Sequence, residues 1–426
     1  MSSQPHAGPL AVLTSPDSAD AGRPDWRRVV AVFWITSMIE GLGVSQVFSF
    51  LAPYLHQMGV PDAERVPFVG LFSALVFVVG MPLVPLWGVW ADKYSRKAVI
   101  VRSCLVEAVV FVCVALSREP WQLALSLLLI GFQLGNTGVM LAAIRDVVPR
   151  ARIGTIIALF GAAGPIGFAV GPWLGGVLVD GLGWSLSAMF LASAGLSIAT
   201  GALVWFGSRE VRPEVIPEGR VLPLAFDALR GVLGDPAVRR IFAIYGVAFL
   251  ANQMSRPYQA LIVEHIVGQG PGLASSIGFV AGTAALVGAV AASFGGVLGD
   301  RIGFRPVLVG ALLLGGLSLV AVPLAAVIPL VALAVLIFTA CNSTVGAMVF
   351  SLLATEVPAE RRSQTLNLVY LPLYAAGIVG PAVGGTIAGF TGPNGPFWAG
   401  AVVFLVGAVV VALRVRPRRS SEPQAA

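Results

Sequence analysis

The sequence predicts an all-α integral membrane protein with twelve transmembrane helices in two pseudo-symmetric six-helix bundles, and three observations predict this class. Of the 426 residues, 57% are hydrophobic and only 11% are charged, whereas soluble domains average about 25% charged residues. Apolar runs of about twenty residues, the length that a helix needs to cross a bilayer, recur along almost the whole chain. Short polar patterns of the first half return in the second half at a nearly constant spacing.

The apolar runs do not alternate with polar residues, which favours helices over the strands of a transmembrane barrel. In chain order, the predicted spans cover residues 29–53, 66–91, 98–116, 121–144, 153–178, 184–206, 241–263, 273–298, 306–323, 328–352, 365–390 and 397–414. The polar connection from Ser208 to Arg240 divides these spans six and six. Part of this connection, around Leu224–Leu233, is expected to form a surface helix.

The basic residues predict the orientation, because short loops rich in Lys and Arg stay in the cytoplasm. If the N-terminus is inside, every one of the 27 basic residues lies at a cytoplasmic end or tail except Arg65, Arg118 and Arg256. We therefore expect both termini on the cytoplasmic side of a bacterial inner membrane. The basic residues form no single patch, so nucleic acid is not an expected partner.

The expected organisation consists of two bundles joined by one long loop. A disordered cytoplasmic tail covers residues 1–25, and the remaining segments are an N-terminal bundle over 26–207, a central cytoplasmic loop over 208–240, a C-terminal bundle over 241–415 and a cytoplasmic tail over 416–426. Asp92 and Asp300 are 208 residues apart, and Gly171 and Gly380 are 209 apart. The bundles are therefore expected to be parallel repeats with the same orientation in the membrane.

Two motifs resemble signatures of the major facilitator superfamily and, within it, of the drug:proton antiporters with twelve spans. The first signature, Gly-x-x-x-Asp-Arg/Lys-x-Gly-Arg/Lys-Arg/Lys, lies between spans 2 and 3. The chain has Ser95 in place of its second glycine and matches it with Gly88, Asp92, Lys93, Arg96 and Lys97. The second signature, Gly-x-x-x-Gly-Pro-x-x-Gly-Gly, lies in span 5 and is matched by Gly167, Gly171, Pro172, Gly175 and Gly176.

This resemblance implies the major facilitator fold and a gating role for the first motif. In that role Asp92, Arg96 and Asp146 form a charge cluster that holds the outward-facing state, and the parallel residues of the second half are Asp300, Arg301, Arg305 and Glu356. The alternative is that these charges only set the topology of solvated turns. The family often carries an arginine in span 4 that is linked to proton transfer, and this chain departs from that pattern with Gly131.

The glycines of the second motif share one helical face, since Gly167, Gly171 and Gly175 are spaced by four residues. Small residues at this spacing let helix backbones approach closely in membranes. We expect these glycines to form a close interface between the two halves that seals against proton leak. The alternative is the ordinary packing of a glycine-rich membrane helix.

Three charged residues lie more than about five residues from either end of a predicted span. Glu40 lies near the middle of span 1, where an acid costs about 2.5–3.5 kcal/mol and is functional by default. It is expected either to bind a proton or a cationic substrate, or to make a structural hydrogen bond to a neighbouring span. Glu107 in span 3 is a candidate for proton coupling or for structural pairing near Arg102, and Arg256 in span 7 for substrate contact, an outer gate or pairing with Glu264.

Polar residues at mid-membrane depth are candidates to line a cavity that is mostly apolar with a few polar anchors. These residues are Gln46, Gln133, Asn136, Asn342, Asn367 and Tyr370. Each of them has the alternative role of a hydrogen bond in helix packing.

Together the motifs and composition predict a secondary transporter, not an enzyme, that works as a monomer by alternating access. Its expected activity is proton-coupled efflux of drug-like or amphipathic small molecules. No Gly-rich lysine loop of an ATPase is present, so the proton gradient is the expected energy source and no cofactor is expected. The three cysteines lack metal-ligand spacing, and no metal is expected. The alternatives are a facilitator or symporter for a defined metabolite, such as a sugar or amino acid, and a non-transporting membrane sensor.

Overall fold

A computed structural model of the chain describes residues 25–213, 216–356, 368 and 371–414, with the side chains of Ala237, Arg240, Asp300, residues 350–356 and Arg414 left undescribed. Every regular element within these ranges is helical. Eleven of the described helices are long and apolar enough to cross a membrane. The predicted all-α class of membrane protein is confirmed.

The first half of the molecule contains eight helices that make six spans. They are α1 (Trp26–Gln57), α2 (Asp62–Val78), α3 (Gly80–Lys93), α4 (Arg96–Leu116), α5 (Pro120–Leu129), α6 (Asn136–Val147), α7 (Ile153–Gly176) and α8 (Leu186–Gly207). The second span is α2 followed by α3, with a break at Val79. The fourth span is α5 followed by a 3-10 turn, Ile130–Phe132, and α6.

The central loop and the second half contain eight further helices. They are α9 (Val221–Gly234), α10 (Pro236–Ser255), α11 (Gln259–Val267), α12 (Leu273–Ile302), α13 (Phe304–Ala321), α14 (Ile328–Glu356), α15 (Leu371–Thr391) and α16 (Gly395–Arg414). Helix α9 confirms the surface helix predicted in the central loop, and it packs against α3 of the first half. The seventh span is not among the eleven, and the 3-10 turn Arg256–Tyr258 separates its two helices, α10 and α11.

Local sequence signals explain where several helices begin. Asp25 caps α1, since its side chain accepts a hydrogen bond of 3.0 Å from the backbone N–H of Arg27. Ser95 caps α4 in the same way, and its Oγ accepts from the N–H of Ala98 at 3.0 Å. These contacts satisfy N–H groups that have no partner in the first turn of a helix. Gly135 precedes α6 with a φ of 101°, a left-handed conformation that favours glycine.

The same packing arrangement occurs in both halves and supports the predicted repeat. A Cβ atom added to Gly171 in α7 would collide with Leu42 in α1. A Cβ added to Gly380 in α15 would lie 3.1 Å from the carbonyl oxygen of Leu250 in α10. The two glycines are 209 residues apart and the two leucines 208 apart, so equivalent spans of each half meet at equivalent positions.

The two halves contact each other mainly through α7 with α12 and through α2 with α15. A Cβ on Gly176 would lie 2.8 Å from the Cα of Ser275, and the rings of Phe77 and Tyr374 are 5.9 Å apart. These contacts lie between the middle of the spans and the end of the molecule that carries Arg65, here called the Arg65 end. The opposite end, which carries Asp92, is called the Asp92 end.

Glycines at the Asp92 end lack such close packing. Cβ atoms built on Gly88 of α3 and on Gly154 and Gly161 of α7 would meet nothing within 4 Å. Among the described residues, the close contacts between the halves named above lie toward the Arg65 end, and they close the space between the halves there.

Candidate functional site

A cavity of about 140 Å³ lies between the two halves. Its walls come from α1 and α7 of the first half and from α11, α12, α14 and the broken seventh span of the second. Phe48, Phe168, Asn252, Arg256 and Asn342 contribute to the lining, and no acidic side chain of the described residues does. The structure therefore places Arg256 and Asn342 at a cavity between the halves, which is one of the positions that the sequence left open for each of them.

Arg256 lies between two aromatic rings of the opposite half. Its guanidinium carbon is 4.4 Å from the ring centroid of Phe48 and 4.9 Å from that of Phe168. Cations at this distance from a ring face are attracted by its quadrupole. Pairing of Arg256 with Glu264, which the sequence left open, does not occur, because Glu264 binds Arg65.

Arg65 and Glu264 form a buried ion pair between the halves at the Arg65 end. The Nη2 of Arg65 lies 2.6 Å from Oε1 of Glu264, and Nη1 donates to Oε2 at 3.0 Å. The two residues are 4% and 8% exposed, so little water competes for these bonds. The sequence indicated Arg65 only as a charge in an outer loop and did not predict the pair.

Glu40 is buried between α1 and α6, where the Nδ2 of Asn136 donates a hydrogen bond to its Oε1. Arg102 of α4 adds an attractive charge to this carboxyl group. The left-handed Gly135 positions Asn136 at the first turn of α6. The structure is thus compatible with both roles expected for Glu40. Its carboxyl group is buried at mid-span, as a proton-binding group would be, and it also makes a hydrogen bond to a neighbouring span.

Glu107 is fully buried on α4 and faces α1. The Oγ of Ser197 donates to Glu107 Oε2 at 3.1 Å. A Cβ on Gly43, one turn after Glu40, would lie 3.2 Å from Oε1. Within the described part of the chain, Oε1 of Glu107 and Oε1 of Gln133 have no hydrogen-bond partner.

The pairing expected between Glu107 and Arg102 is wrong. Arg102 stacks on Trp87, with its guanidinium carbon 3.6 Å from the ring centroid, and donates to Ser103 at 2.8 Å. Glu107 instead lies against α1 at Gly43, one turn from Glu40, and two buried acids this near each other repel when both are charged. A proton on one of two neighbouring buried carboxyl groups removes this repulsion, so the pair has the chemistry of a proton-binding site.

Several polar residues that were candidates for the cavity lie inside the first half. The Oγ of Ser193 donates to Gln46 Oε1 at 2.6 Å, and Gln46 Nε2 donates to the carbonyl of Gly171 at 3.3 Å. Gln46 thus joins α1, α7 and α8. The predicted cavity positions of Gln46, Gln133 and Asn136 are wrong, since none of them lines the described cavity.

The three residues of the charge cluster implied for the first motif do contact each other, while its gating role stays a prediction. The Nε of Arg96 donates to Asp92 Oδ1 and its Nη1 to Asp146 Oδ2, both at 2.8 Å. Arg96 is only 2% exposed. The side chain joins the end of α3, the start of α4 and the end of α6, and so fixes three helix ends at the Asp92 end.

Glu210 also binds this motif, a contact that the sequence did not predict. Its Oε1 accepts from the backbone N–H of Arg96 at 2.9 Å, and its Oε2 accepts from the Oγ of Ser95. Lys97 donates to the carbonyl of Ser208 at 2.8 Å. An acid at a helix N-terminus is favoured by the unpaired N–H groups and the helix dipole. The available signal was an acidic residue directly after span 6.

We predict that Glu210→Ala destabilises the first half by about 0.5–2 kcal/mol, the usual cost of losing a helix cap. The N–H groups at the start of α4 lose their acceptor, and the loop loses its attachment. Thermal unfolding of the purified protein measures this loss. The matched control is Glu218→Ala in the same loop, since Glu218 is exposed. Equal effects of the two substitutions would contradict the capping role.

The structure describes only part of the corresponding charge cluster in the second half. The side chains of Asp300 and Glu356 are not described, and Asn367 and Tyr370 lie outside the described residues. Arg301 is exposed, and Nη2 of Arg305 donates to the carbonyl of Ala412.

The glycines of the span 5 motif divide between two partners. Cβ atoms on Gly167, Gly171 and Gly175 would collide with α1 of the same half, at Met38, Leu42 and Phe50. The interface between the halves, which was expected for these three glycines, instead involves the end of the motif. A Cβ on Gly278 of α12 would collide with the carbonyl of Pro172, and Gly176 faces Ser275.

Comparisons with known proteins agree with this architecture. A model described as "Major Facilitator Superfamily" matches residues 33–263 and 241–426. Multidrug resistance protein MdtG of Citrobacter koseri is 30% identical over 302 residues, which cover 70% of this chain and 72% of that protein. The protein of the same name from Yersinia enterocolitica is 26% identical over 404 residues, covering 90% and 92%.

Solved structures share the fold at low sequence identity. A bacterial homologue of the human lysosomal transporter Spinster, inward-facing and occupied, has a TM-score of 0.74 at 15% identity and covers 90% of this chain and 96% of that one. The nucleoside transporter NupG has a TM-score of 0.71 at 15% identity, covering 90% and 98%. With a family model across both halves and a shared fold, the chain belongs to the Major Facilitator Superfamily.

Proposed function

We propose that this chain is a secondary transporter that exports drug-like or amphipathic small molecules in exchange for protons, moving them without chemical change. The observation that carries this proposal is a cavity between two halves whose described residues meet closely at the Arg65 end. Alternating access requires such a site, reached from one side at a time. The multidrug resistance proteins to which the chain is similar support the export of drug-like molecules.

The distribution of basic residues supports a cytoplasmic position for the Asp92 end and both termini, in a bacterial inner membrane. In this orientation the described structure is closed toward the outside by Arg65 and Glu264.

The proton gradient is the proposed energy source, with Glu40 and Glu107 as the proton-binding groups and a monomer as the working unit. One charge that crosses about 100 mV supplies roughly 2.3 kcal/mol. The pair lies inside the first half, while the substrate cavity lies between the halves. Proton and substrate sites are therefore separate, and span 1 connects them because it carries both Glu40 and Phe48.

A carrier for one defined metabolite is the second candidate. The polar groups of Asn252, Arg256 and Asn342 in a cavity of about 140 Å³ favour it, since fixed polar anchors select one ligand geometry. Transport in proteoliposomes with an imposed pH gradient and a panel of drugs and metabolites distinguishes the two. Movement of a single metabolite, with no drug transported, would replace the export proposal.

For the proton site, we predict that Glu40→Gln abolishes the stimulation of transport by a pH gradient while exchange of substrate without a gradient continues. The amide has nearly the shape of the protonated acid but cannot release a proton. Glu64→Gln is the control, because Glu64 is exposed at the Arg65 end. Full gradient-driven transport with unchanged pH dependence in the Glu40 variant would exclude this carboxyl from coupling.

A further inference from the structure

Arg256 is an unpaired cation in the inter-half cavity. Within the described residues it has no hydrogen bond and no ion pair, and its charge is met only by the faces of Phe48 and Phe168. An arginine side chain stays protonated in proteins. The cavity therefore carries a fixed positive charge that no acidic side chain of the described lining balances.

The remaining lining is suited to an apolar body with few polar groups. Ile277, Val280 and Ala284 of α12 supply an apolar wall opposite the two phenylalanine rings. Asn342 is 6% exposed and lines the same cavity, and its Oδ1 has no hydrogen-bond partner among the described residues. Buried polar atoms are nearly always bonded, so this acceptor leaves a place for a hydrogen-bond donor, such as a water molecule or a hydroxyl group, beside the ligand's anionic group.

We propose that this cavity binds small amphipathic organic anions, with a carboxylate or sulfonate on the Arg256 guanidinium and an apolar body between the phenylalanine rings and α12. The proposal rests on the transport function and names its substrate class. Guanidinium and carboxylate groups form two parallel hydrogen bonds, which are stronger than the contact of an arginine with a ring. A cationic ligand of the same shape meets repulsion from Arg256 and finds no acid in the described lining.

The contact of Arg256 with the two rings also connects substrate binding to the packing of the two halves against each other. Arg256 belongs to the second half, whereas Phe48 and Phe168 belong to the first. An anion that binds the guanidinium competes with the rings for it. Occupancy thereby weakens a contact that holds the halves together.

Binding to the full chain in lipid nanodiscs tests the proposal by isothermal titration calorimetry. The probes are benzoate, benzyl alcohol and benzylamine, which share one aromatic ring and differ in charge. A cavity of this size holds about one aromatic ring. Empty nanodiscs give the background from partition into lipid. We expect the benzoate to bind at least about tenfold more tightly than the amine, the effect of one charge-assisted hydrogen bond.

Variants of Arg256 test whether this residue causes the preference for the benzoate over the amine. Arg256→Gln is expected to weaken benzoate binding at least about tenfold and to leave binding of the alcohol within about threefold. Arg256→Lys, which keeps the charge, is expected to retain the preference for the benzoate over the amine. Arg209→Gln removes an exposed positive charge outside the cavity and is expected to leave all three affinities unchanged.

The proposal is overturned if the benzoate binds no better than the amine, if none of the three binds above background, or if Arg256→Gln leaves benzoate binding unchanged. These binding results do not test the transport proposal, which is tested separately by gradient-driven movement of substrate in proteoliposomes. Transport of cations or neutral molecules with no preference for the benzoate would leave that proposal standing and remove the anion site.

Discussion

Arg65→Leu is expected to shift the conformational equilibrium away from the state sealed at the Arg65 end by more than a hundredfold. The substitution leaves the Glu264 carboxylate buried without its partner, and breaking a buried ion pair in this way costs about 3–5 kcal/mol. The pair joins the two halves, so the cost falls on the sealed state. Leu182 and Leu324 are exposed at this end, one on each half, and can be replaced by spin-labelled cysteines in a variant that lacks the native cysteines. Double electron–electron resonance then measures the distance between the halves.

Two controls separate the ion pair from a general effect of charge. Arg118→Leu removes an exposed arginine from the same end and is expected to leave the distance distribution unchanged. Replacing both Arg65 and Glu264 with leucine is expected to restore much of the sealed population, because no unpaired charge remains. Short distances that persist unchanged in the Arg65→Leu variant would show that this pair does not hold the end closed.

Gly167→Ala is expected to destabilise the folded protein by about 1–3 kcal/mol or more. The added methyl group collides with the carbonyl oxygen of Met38, a backbone atom that no change of rotamer can move aside. Gly380→Ala is expected to act similarly in the second half, where the methyl carbon would lie 2.7 Å from the Cβ of Gln253. Thermal stability followed by size-exclusion chromatography with fluorescence detection measures both effects.

Gly161→Ala on the same helix is the matched control. A Cβ atom there meets nothing within 4 Å, and alanine is a better helix former than glycine. The control is expected to keep or slightly raise the stability. If Gly161→Ala and Gly167→Ala lost stability equally, the close approach of α7 to α1 would not explain the glycine.

The spans and the first charge cluster were predictable because their causes are local or periodic. A bilayer requires a fixed length of apolar helix, so run length alone marked the spans. Asp92 and Arg96 lie four residues apart at the junction of α3 and α4, and the family motif supplied Asp146 as the third member.

The ion pair at the Arg65 end was not predictable from the sequence. Arg65 and Glu264 are 199 residues apart, and they meet only because the two halves close at that end. No periodic pattern in the sequence indicates that these two residues come together in the fold. The sequence also did not predict which way the buried polar side chains point. A polar group at mid-membrane depth has to face either a cavity or a neighbouring helix, and Gln46 and Asn136 face helices.

Attachment of the central loop to the first half limits how the bundles can swivel. Lys93 binds the carbonyl of Gly219, Glu210 holds the start of α4, and α9 packs against α3. Helix α9 ends at Gly234 and α10 begins at Pro236, and Val232 of α9 packs in one buried cluster with Val238 and Ile241 of α10. The central loop is therefore a short connection that contacts both bundles, and it restricts how far one bundle can turn relative to the other.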